Sequence, residues 1–110
     1  MKSALVAFSL IGFLFGIPSD KQAWKMGRAK VMAEYVAPPA FDALKLYRQG
    51  RRWTVCGAAT GQLRAGRTGN ERFIADKTGV SFSGDPAFAE SADGKEAFEA
   101  LWKTRCVKRR

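Results

Sequence analysis

The stretch WTVCG, residues 53–57, decides the fold of this chain, because it predicts a central strand that carries a cysteine. Its β-branched and aromatic residues favour a strand, and it lies between a turn and a glycine-rich segment. Side chains of a strand alternate between the two faces of a sheet. Trp53 and Val55 are therefore predicted to face one side, whereas Thr54 and Cys56 face the other.

The second of the two cysteines, Cys106, lies near the end of a predicted C-terminal helix. Asp93 and Glu96 have the spacing of a capping box, which predicts a helix start at this point. The apolar residues of the segment 94–107 recur at helical spacing, so that they share one face with the cysteine.

The composition describes a small basic protein of one domain. The chain has 110 residues and a formal net charge of +9, and residues 20–110 alone carry +8, because Lys2 is the only charged residue before them. Such a charge attracts anionic surfaces, such as nucleic acid, acidic lipid, lipopolysaccharide or acidic polymers, although it also serves solubility. Histidine is absent, which removes the commonest general base and the commonest metal ligand.

The N-terminus is typical of a targeting segment. One lysine precedes an uncharged apolar run over residues 4–17, which is shorter than the roughly 20 residues of a membrane-spanning helix. Residues 1–19 are therefore predicted to be a signal peptide or a short membrane anchor. No small-residue cleavage triplet follows the run, so both alternatives stay open. Either predicts a secreted protein, in the periplasm or anchored at the outer face of the inner membrane, with inner-membrane contact through residues 4–17.

An even number of cysteines in a small exported chain favours a disulfide. Cys56 and Cys106 are therefore predicted to be bonded. Closing a loop of about 50 residues stabilises a fold by about 4 kcal/mol in the chain-entropy model.

The first predicted element of the exported part is a helix from about residue 20 to residue 36. Ser19 or Asp20 can cap its start, and Pro38-Pro39 ends it. Its apolar face, to which Met32 is assigned, is predicted to pack on a sheet. Its other face is basic, which leaves open that the helix rests on an anionic membrane surface.

Two predicted hairpins supply an antiparallel sheet of three to four strands. Strands are expected at residues 44–48, 52–58, 71–75 and 80–83, and a loop at residues 83–93. Residues 20–110 are thus predicted to form a single disulfide-bonded α+β domain. Its predicted core consists of Trp24, Val31, Met32, Tyr35, Leu46, Val55, Phe73, Ile74, Phe82, Phe98, Leu101 and Trp102.

A glycine-rich loop is predicted between residues 57 and 70, with Arg64 and Arg67 among the glycines. Backbone N–H groups and guanidinium groups of such a loop can hold an anion. The glycines also fit a tightly turned loop without a ligand, and no P-loop sequence is present. Together with Arg51 and Arg52 of the preceding turn, these two arginines are the candidate anion-binding residues.

Catalytic chemistry finds little support in the sequence. A Cys-x-x-Cys motif is absent, and neither cysteine has a histidine to activate it. The acidic residues are scattered along the chain, and the sequence does not show whether two of them meet in the fold. A hydrolase with a carboxylate pair therefore stays an alternative. A cytosolic nucleic-acid binder with free thiols is a further alternative, because aromatic and basic residues alternate from Tyr47 to Trp53, but export argues against it. No metal or cofactor is predicted.

Two segments, Val55-Cys56-Gly57 and Gly69–Ile74, resemble a group of small exported bacterial proteins of unassigned function. In that group a V-C-G-x-[VA]-N run precedes a G-G-Y-T-G-F kind of loop and a strand reading R-F-[IV]. A helix and a D-P-x-S-A-x-F segment come earlier, and Pro39-Ala40-Phe41 is the closest match here. The resemblance covers about residues 25–106, but this chain has Ala-Ala-Thr in place of the asparagine run and R-A-G-R-T-G in place of the aromatic loop. It implies an α+β envelope domain with one disulfide, and it carries over no catalytic residues.

The leading functional hypothesis is therefore a non-enzymatic exported or envelope protein. Its expected partner is an anionic envelope polymer or lipid, or another envelope protein. The expected contact surface consists of Arg51, Arg52, Arg64 and Arg67.

Overall fold

A computed structural model, which describes residues 17–107, places one antiparallel sheet between two layers of helix. The elements in chain order are α1 (Asp20–Ala33), β1 (Ala40–Gln49), β2 (Arg52–Gln62), β3 (Thr68–Asp76), β4 (Gly79–Phe82), α2 (Pro86–Ala89) and α3 (Ala92–Arg105). The strands lie in the order β1-β2-β3-β4, and each neighbour is antiparallel. The predicted α+β class is confirmed. Of the expected leader at residues 1–19, all but the last three residues lie outside the described residues.

The alternation of side chains along β2 separates two hydrophobic cores, as predicted. Trp53 and Val55 pack under α1, whereas Cys56 packs under α3 on the other face. The first core contains Ala23, Val31, Tyr35, Trp53, Val55, Ala59, Leu63, Phe73, Ala75 and Phe82. The second contains Cys56, Ile74, Phe98 and Cys106, with Tyr47, Phe88, Leu101 and Trp102 packed against them. The predicted disulfide between Cys56 and Cys106 is confirmed, and it ties the end of α3 to the centre of β2.

The α1 helix packs on the sheet through two small residues that were not predicted, Ala23 and Gly27, together with the predicted Val31. The side chains of Ala23 and Val31 are buried together with Gly27, whereas Met32 is 37% exposed, so its assignment to the core is wrong. A Cβ atom at Gly27 would lie 2.5 Å from Cγ2 of Val55. Because helix and strand approach so closely at Gly27, this side of the helix faces the sheet and Met32 lies on the opposite side.

The other predicted core residues lie in or against the two cores. Seven of them are buried, namely Val31, Tyr35, Val55, Phe73, Ile74, Phe82 and Phe98. Trp24, Leu46, Leu101 and Trp102 are half-buried and pack against those clusters.

The glycines that suggested a long loop mostly lie within strands. The β2 strand continues to Gln62 and β3 begins at Thr68, so the predicted loop between residues 57 and 70 is reduced to residues 63–67. A side chain at Gly57 would meet the backbone oxygen of Asp42 at 3.0 Å, because β1 bulges at this point. A glycine is needed there for close approach of two strands, not for a turn.

Ser19, one of the two predicted caps of the first helix, does cap it and forms a capping box with Gln22. Other helix boundaries differ from the prediction, since α1 ends at Ala33 rather than near residue 36. Ser91, not Asp93, caps α3, because its hydroxyl accepts a hydrogen bond from the Gly94 N–H. The predicted loop over residues 83–93 contains α2, whose Phe88 packs edge-on against Phe98 of α3.

Candidate functional site

The four candidate arginines do not form one surface. Arg51 and Arg52 lie at the β1–β2 turn, and Arg64 and Arg67 lie in the loop that follows the far end of β2. A strand of 11 residues has a length of about 33 Å. The expected single contact patch is therefore divided into two pairs at opposite ends of the sheet.

Arg67 has a structural role. Its guanidinium group donates to both carboxylate oxygens of Glu71, at 3.0 and 3.1 Å, and to Oδ1 of Asp85 at 3.0 Å. The hydrogen bond with Glu71 raises the pKa of Arg67 above its usual value, although burial opposes the shift. Because its donors already bind two carboxylates, Arg67 has little capacity left for an external anion.

The two carboxylates around Arg67 are also fully engaged. Oε1 of Glu71 accepts a hydrogen bond from the Gly84 N–H at 2.9 Å, and Oδ2 of Asp85 accepts one from the Phe82 N–H at 2.9 Å. All four oxygens thus bind donors of the protein. The cluster joins the β2–β3 loop to the end of β4, and it has the character of a structural ion pair rather than of a free acid and base.

Arg64 is exposed, but it too contacts the fold. Its Nε donates to the backbone oxygen of Ala33 at 3.1 Å, and its backbone N–H donates to the oxygen of Glu34 at 2.8 Å. A cation at this position satisfies carbonyl groups at the C-terminus of α1. Arg64 therefore has a capping role in addition to its charge.

Topology brings four segments that carry basic residues to the opposite end, which we call the hairpin end: residues 20–21, 48–52, 76–79 and 102–105. In a meander of antiparallel strands, the β1–β2 turn and the β3–β4 turn lie at the same end of the sheet. The start of α1 and the end of α3 lie there as well. These segments contain seven basic and two acidic residues, which is a net charge of +5.

Hydrogen bonds and ion pairs hold the segments of the hairpin end together. Arg48 binds the carboxylate of Asp20 and the backbone oxygen of Pro18, and Arg105 binds Asp76 at 3.1 Å. The amide of Gln49 donates to a backbone oxygen in the last turn of α3. The turns and both helix ends therefore form one surface with a defined arrangement.

The carboxyl group of Asp76 organises the β3–β4 turn at this end. Burial by itself would raise its pKa, but hydrogen bonds from Thr78 and Gly79 and the charge of Arg105 together lower it below the usual value. Asp76 is therefore ionised at neutral pH, and it fixes the turn that carries Lys77.

Five cations of the hairpin end have no ion-pair partner among residues 17–107. They are exposed, and they are Lys21, Arg51, Arg52, Lys77 and Lys103. We call them the free cations of the hairpin end. Lys77 and Lys103 were missed by sequence reasoning, although the predicted hairpins already placed the two turns at one end of the sheet. Lys21 was predicted only as part of the basic face of the first helix.

The opposite end of the molecule has the opposite charge. We define the loop end as residues 34–39, 63–67, 83–85 and 90–96, together with Glu71. It contains three basic and six acidic residues, a net charge of −3. The molecule is thus electrostatically polar along its strands, with exposed unpaired cations concentrated at the hairpin end.

Among residues 17–107, no group of three or more cysteine or carboxylate side chains could hold a metal ion. Within the same residues, no helix has both the length and the apolar character that crossing a membrane requires. Comparisons of the chain with protein-family models, with curated proteins and with solved structures found no match.

Proposed function

We propose that this protein is an exported, non-enzymatic envelope protein whose hairpin end binds an anionic envelope component. The observation that carries the proposal is the difference between the two ends. Five exposed cations without an ion pair among the described residues gather at the hairpin end, which has a net charge of +5. The loop end has two such cations, Arg64 and Lys95, and a net charge of −3, and its Arg67 is bound to two carboxylates.

Two features support export. The two cysteines are bonded to each other, and disulfides persist in oxidising compartments rather than in the cytosol. The sequence also begins with an apolar run at residues 4–17, which is typical of a signal or an anchor. The resemblance to small exported proteins points to the same compartment.

The position of residues 17–19, where the chain enters the domain, supports binding near the membrane. The described chain begins with Ile17–Ser19, and Arg48 of the hairpin end binds the backbone oxygen of Pro18. An anchor formed by residues 4–17 would therefore leave the hairpin end beside the membrane. There the free cations would meet lipid phosphates, while the acidic loop end would face away.

Phosphate-bearing ligands fit these residues best. A guanidinium group presents a fork of donors that matches two phosphate oxygens, and Arg51 and Arg52 follow each other in the sequence. The phosphates can belong to a membrane lipid, such as an anionic phospholipid or lipopolysaccharide, or to a soluble polymer such as polyphosphate. Because the cations are exposed, binding of either ligand should weaken steeply with salt.

The test compares two variants of the full chain with equal loss of charge. Arg51→Gln with Arg52→Gln alters the hairpin end, and Arg64→Gln with Lys95→Gln is the matched control at the loop end. Binding is measured to phosphatidylglycerol vesicles, neutral vesicles, polyphosphate and single-stranded DNA. Each cation at an anionic membrane contributes about 1 kcal/mol. The hairpin variant should therefore lose affinity for the anionic vesicles about 30-fold, and the control less than threefold.

Each arm of this experiment has a distinct meaning. Binding to polyphosphate without binding to vesicles would keep the site and identify a polymer as its ligand. Equal losses in both variants, or no binding to either envelope polyanion, would overturn the proposal. Strongest binding to single-stranded DNA, with alkylatable thiols in the purified protein, would replace it by a nucleic-acid function.

A further inference from the structure

The outer edge of β1 is an open strand edge. The β1 strand is first in the sheet and pairs only with β2, whereas the strand at the other edge, β4, has four residues. Alternate backbone groups of an edge strand point away from its neighbour. Among the described residues, no backbone hydrogen bond outside the β1–β2 ladder involves residues 45–49. This edge can therefore accept another strand.

A groove runs along this open edge. It has a volume of about 580 Å³, its floor is formed by residues 45–49 of β1, and Arg105 and Val107 form a wall. The bulge between Asp42 and Lys45 ends the regular edge on one side, and the β1–β2 turn ends it on the other. The groove thus matches an extended segment of about five residues.

The charge of the groove selects an acidic occupant. Its lining includes Lys45, Arg48 and Arg105, and none of the lining residues within 17–107 carries a carboxylate. Lys45 is exposed and forms no ion pair with any described residue. Arg48 binds Asp20 and Pro18 through Nε and Nη2, and Arg105 binds Asp76 through Nη1, so each guanidinium group keeps further donors. A second copy of this chain fits poorly, because pairing β1 with β1 would bring these cations together.

We propose that this groove binds an acidic, extended segment of a partner protein, which adds to the sheet as a fifth strand beside β1. Backbone hydrogen bonds to residues 45–49 provide the affinity, as in other cases of strand addition. Carboxylates of the segment pair with Lys45 and Arg105 on the α3 face of the sheet, and an apolar side chain on the α1 face contacts Leu46. This site lies on the strand edge, and its ligand differs from the phosphate-bearing ligand of the hairpin end.

The probe is a blocked eight-residue peptide of alternating glutamate and valine. It is titrated into the ¹⁵N-labelled, oxidised full chain, and amide shifts and hydrogen exchange are recorded. We expect shifts that saturate and exchange at least tenfold slower at amides within residues 45–49. A peptide that is N-methylated at every residue keeps the charge but lacks backbone donors on both of its edges, so it should not protect these amides.

Two variants with equal change of charge complete the test. Lys45→Glu should weaken peptide binding at least tenfold, whereas Lys95→Glu at the start of α3 should leave it within twofold. Equal binding of the N-methylated peptide, shifts confined to residues 50–52, or no binding at millimolar peptide would overturn the proposal. Protection of residues 45–49 that grows with protein concentration in the absence of peptide would overturn it in favour of self-association.

Discussion

The hairpin end and the loop end use the same type of residue in opposite ways. At the loop end, Arg67 lies between Glu71 and Asp85 and holds a loop against the sheet. At the hairpin end, Arg51 and Arg52 project from a turn and have no acidic partner among the described residues. The β1–β2 turn and the β2–β3 loop each carry two arginines, yet the pair in the loop is largely structural and the pair at the turn is available to a ligand.

The difference shows that local carboxylates, rather than the density of basic residues, decide what an arginine does. A solvent-exposed cation without an ion pair lowers the stability of the fold only slightly, and its donors stay available to an external anion. A cation between two half-buried carboxylates stabilises the fold, because its removal leaves those charges unpaired. The following predictions test this distinction, in order of decreasing effect.

The largest effect is expected from the disulfide, which holds α3 at the hairpin end. Replacing Cys56 and Cys106 by alanine removes a link across 50 residues of sequence. We expect the free energy of unfolding to fall by about 4 kcal/mol, as measured by urea denaturation. Reduction of the unaltered protein should have a similar effect. A loss below 1 kcal/mol for the double variant would show that the helix is held without the bond.

Removing one arginine from each end should separate the two roles directly. Arg67→Met leaves Glu71 and Asp85 without their cation, and we expect a loss of about 2 kcal/mol in the free energy of unfolding. Arg51→Met at the exposed turn should change it by less than about 0.5 kcal/mol. Glu71→Gln in the Arg67→Met background should recover part of the loss. Equal losses for the two arginine variants would remove the distinction between the ends.

Acid should weaken the hairpin end through Asp76. Its pKa in the folded state is lower than usual, since hydrogen bonds and Arg105 outweigh the effect of burial. The unfolded chain therefore takes up this proton at higher pH than the folded chain. The resulting stability is present above the unfolded pKa of about 3.9 and is lost as pH falls through the folded pKa.

This sign predicts how Asp76→Asn behaves across pH. At pH 7 the variant should be less stable than the unaltered protein by about 1 kcal/mol, and the difference should shrink below about pH 4. Thermal unfolding at several pH values measures it. A difference that stays constant down to pH 2 would show that the charge of Asp76 is not what stabilises the turn.

The smallest effect is expected at Tyr35, near the loop end. Its hydroxyl is buried and has no hydrogen-bond partner in the structure, and the ring is 2% exposed. Burial, together with the nearby charge of Glu71, raises the pKa of this phenol. Tyr35→Phe removes the unpaired hydroxyl, so we expect stability to be unchanged or to rise by about 1 kcal/mol. A lower melting temperature would contradict this interpretation of the hydroxyl.

The sequence predicted the features that depend on short-range pattern. The alternation of Trp53, Thr54, Val55 and Cys56 placed the two cores on opposite faces of the sheet. The cysteine count, together with the expectation of export, predicted the disulfide. Both hairpins followed from turn residues and alternating apolar residues, so the antiparallel sheet was predictable as well.

The features that were missed depend on contacts between distant segments. Met32 has the helical spacing of a core residue. However, Gly27 lies so close to Val55 that a different side of α1 packs on the sheet, and Met32 faces away from it. Gly61 suggested a loop, whereas it lies within β2, where an added Cβ atom would lie 3.1 Å from Cδ1 of Tyr35. Nothing in the local sequence predicts either contact.

Only the residue types of the candidate site could be predicted from the sequence, and not their arrangement. Arg51, Arg52, Arg64 and Arg67 are close in sequence, and the single patch expected of them overlooked the length of β2. Neither the two carboxylates that bind Arg67 nor the gathering of Lys77 and Lys103 beside the β1–β2 turn is visible without the topology. The exposed cations could be identified only from the ion pairs that form across the fold, and not from residue type alone.

Hydrogen exchange of the full chain on phosphatidylglycerol vesicles, read by mass spectrometry, tests the central claim most directly. At low salt, we predict slower exchange in the turns at residues 49–52 and 76–79, and unchanged exchange in the loop at residues 63–67. The protection should disappear at high salt, where exposed charges are screened. Protection of residues 63–67 with exchange unchanged at both turns would contradict the account, because the loop end would then be the anion-binding end.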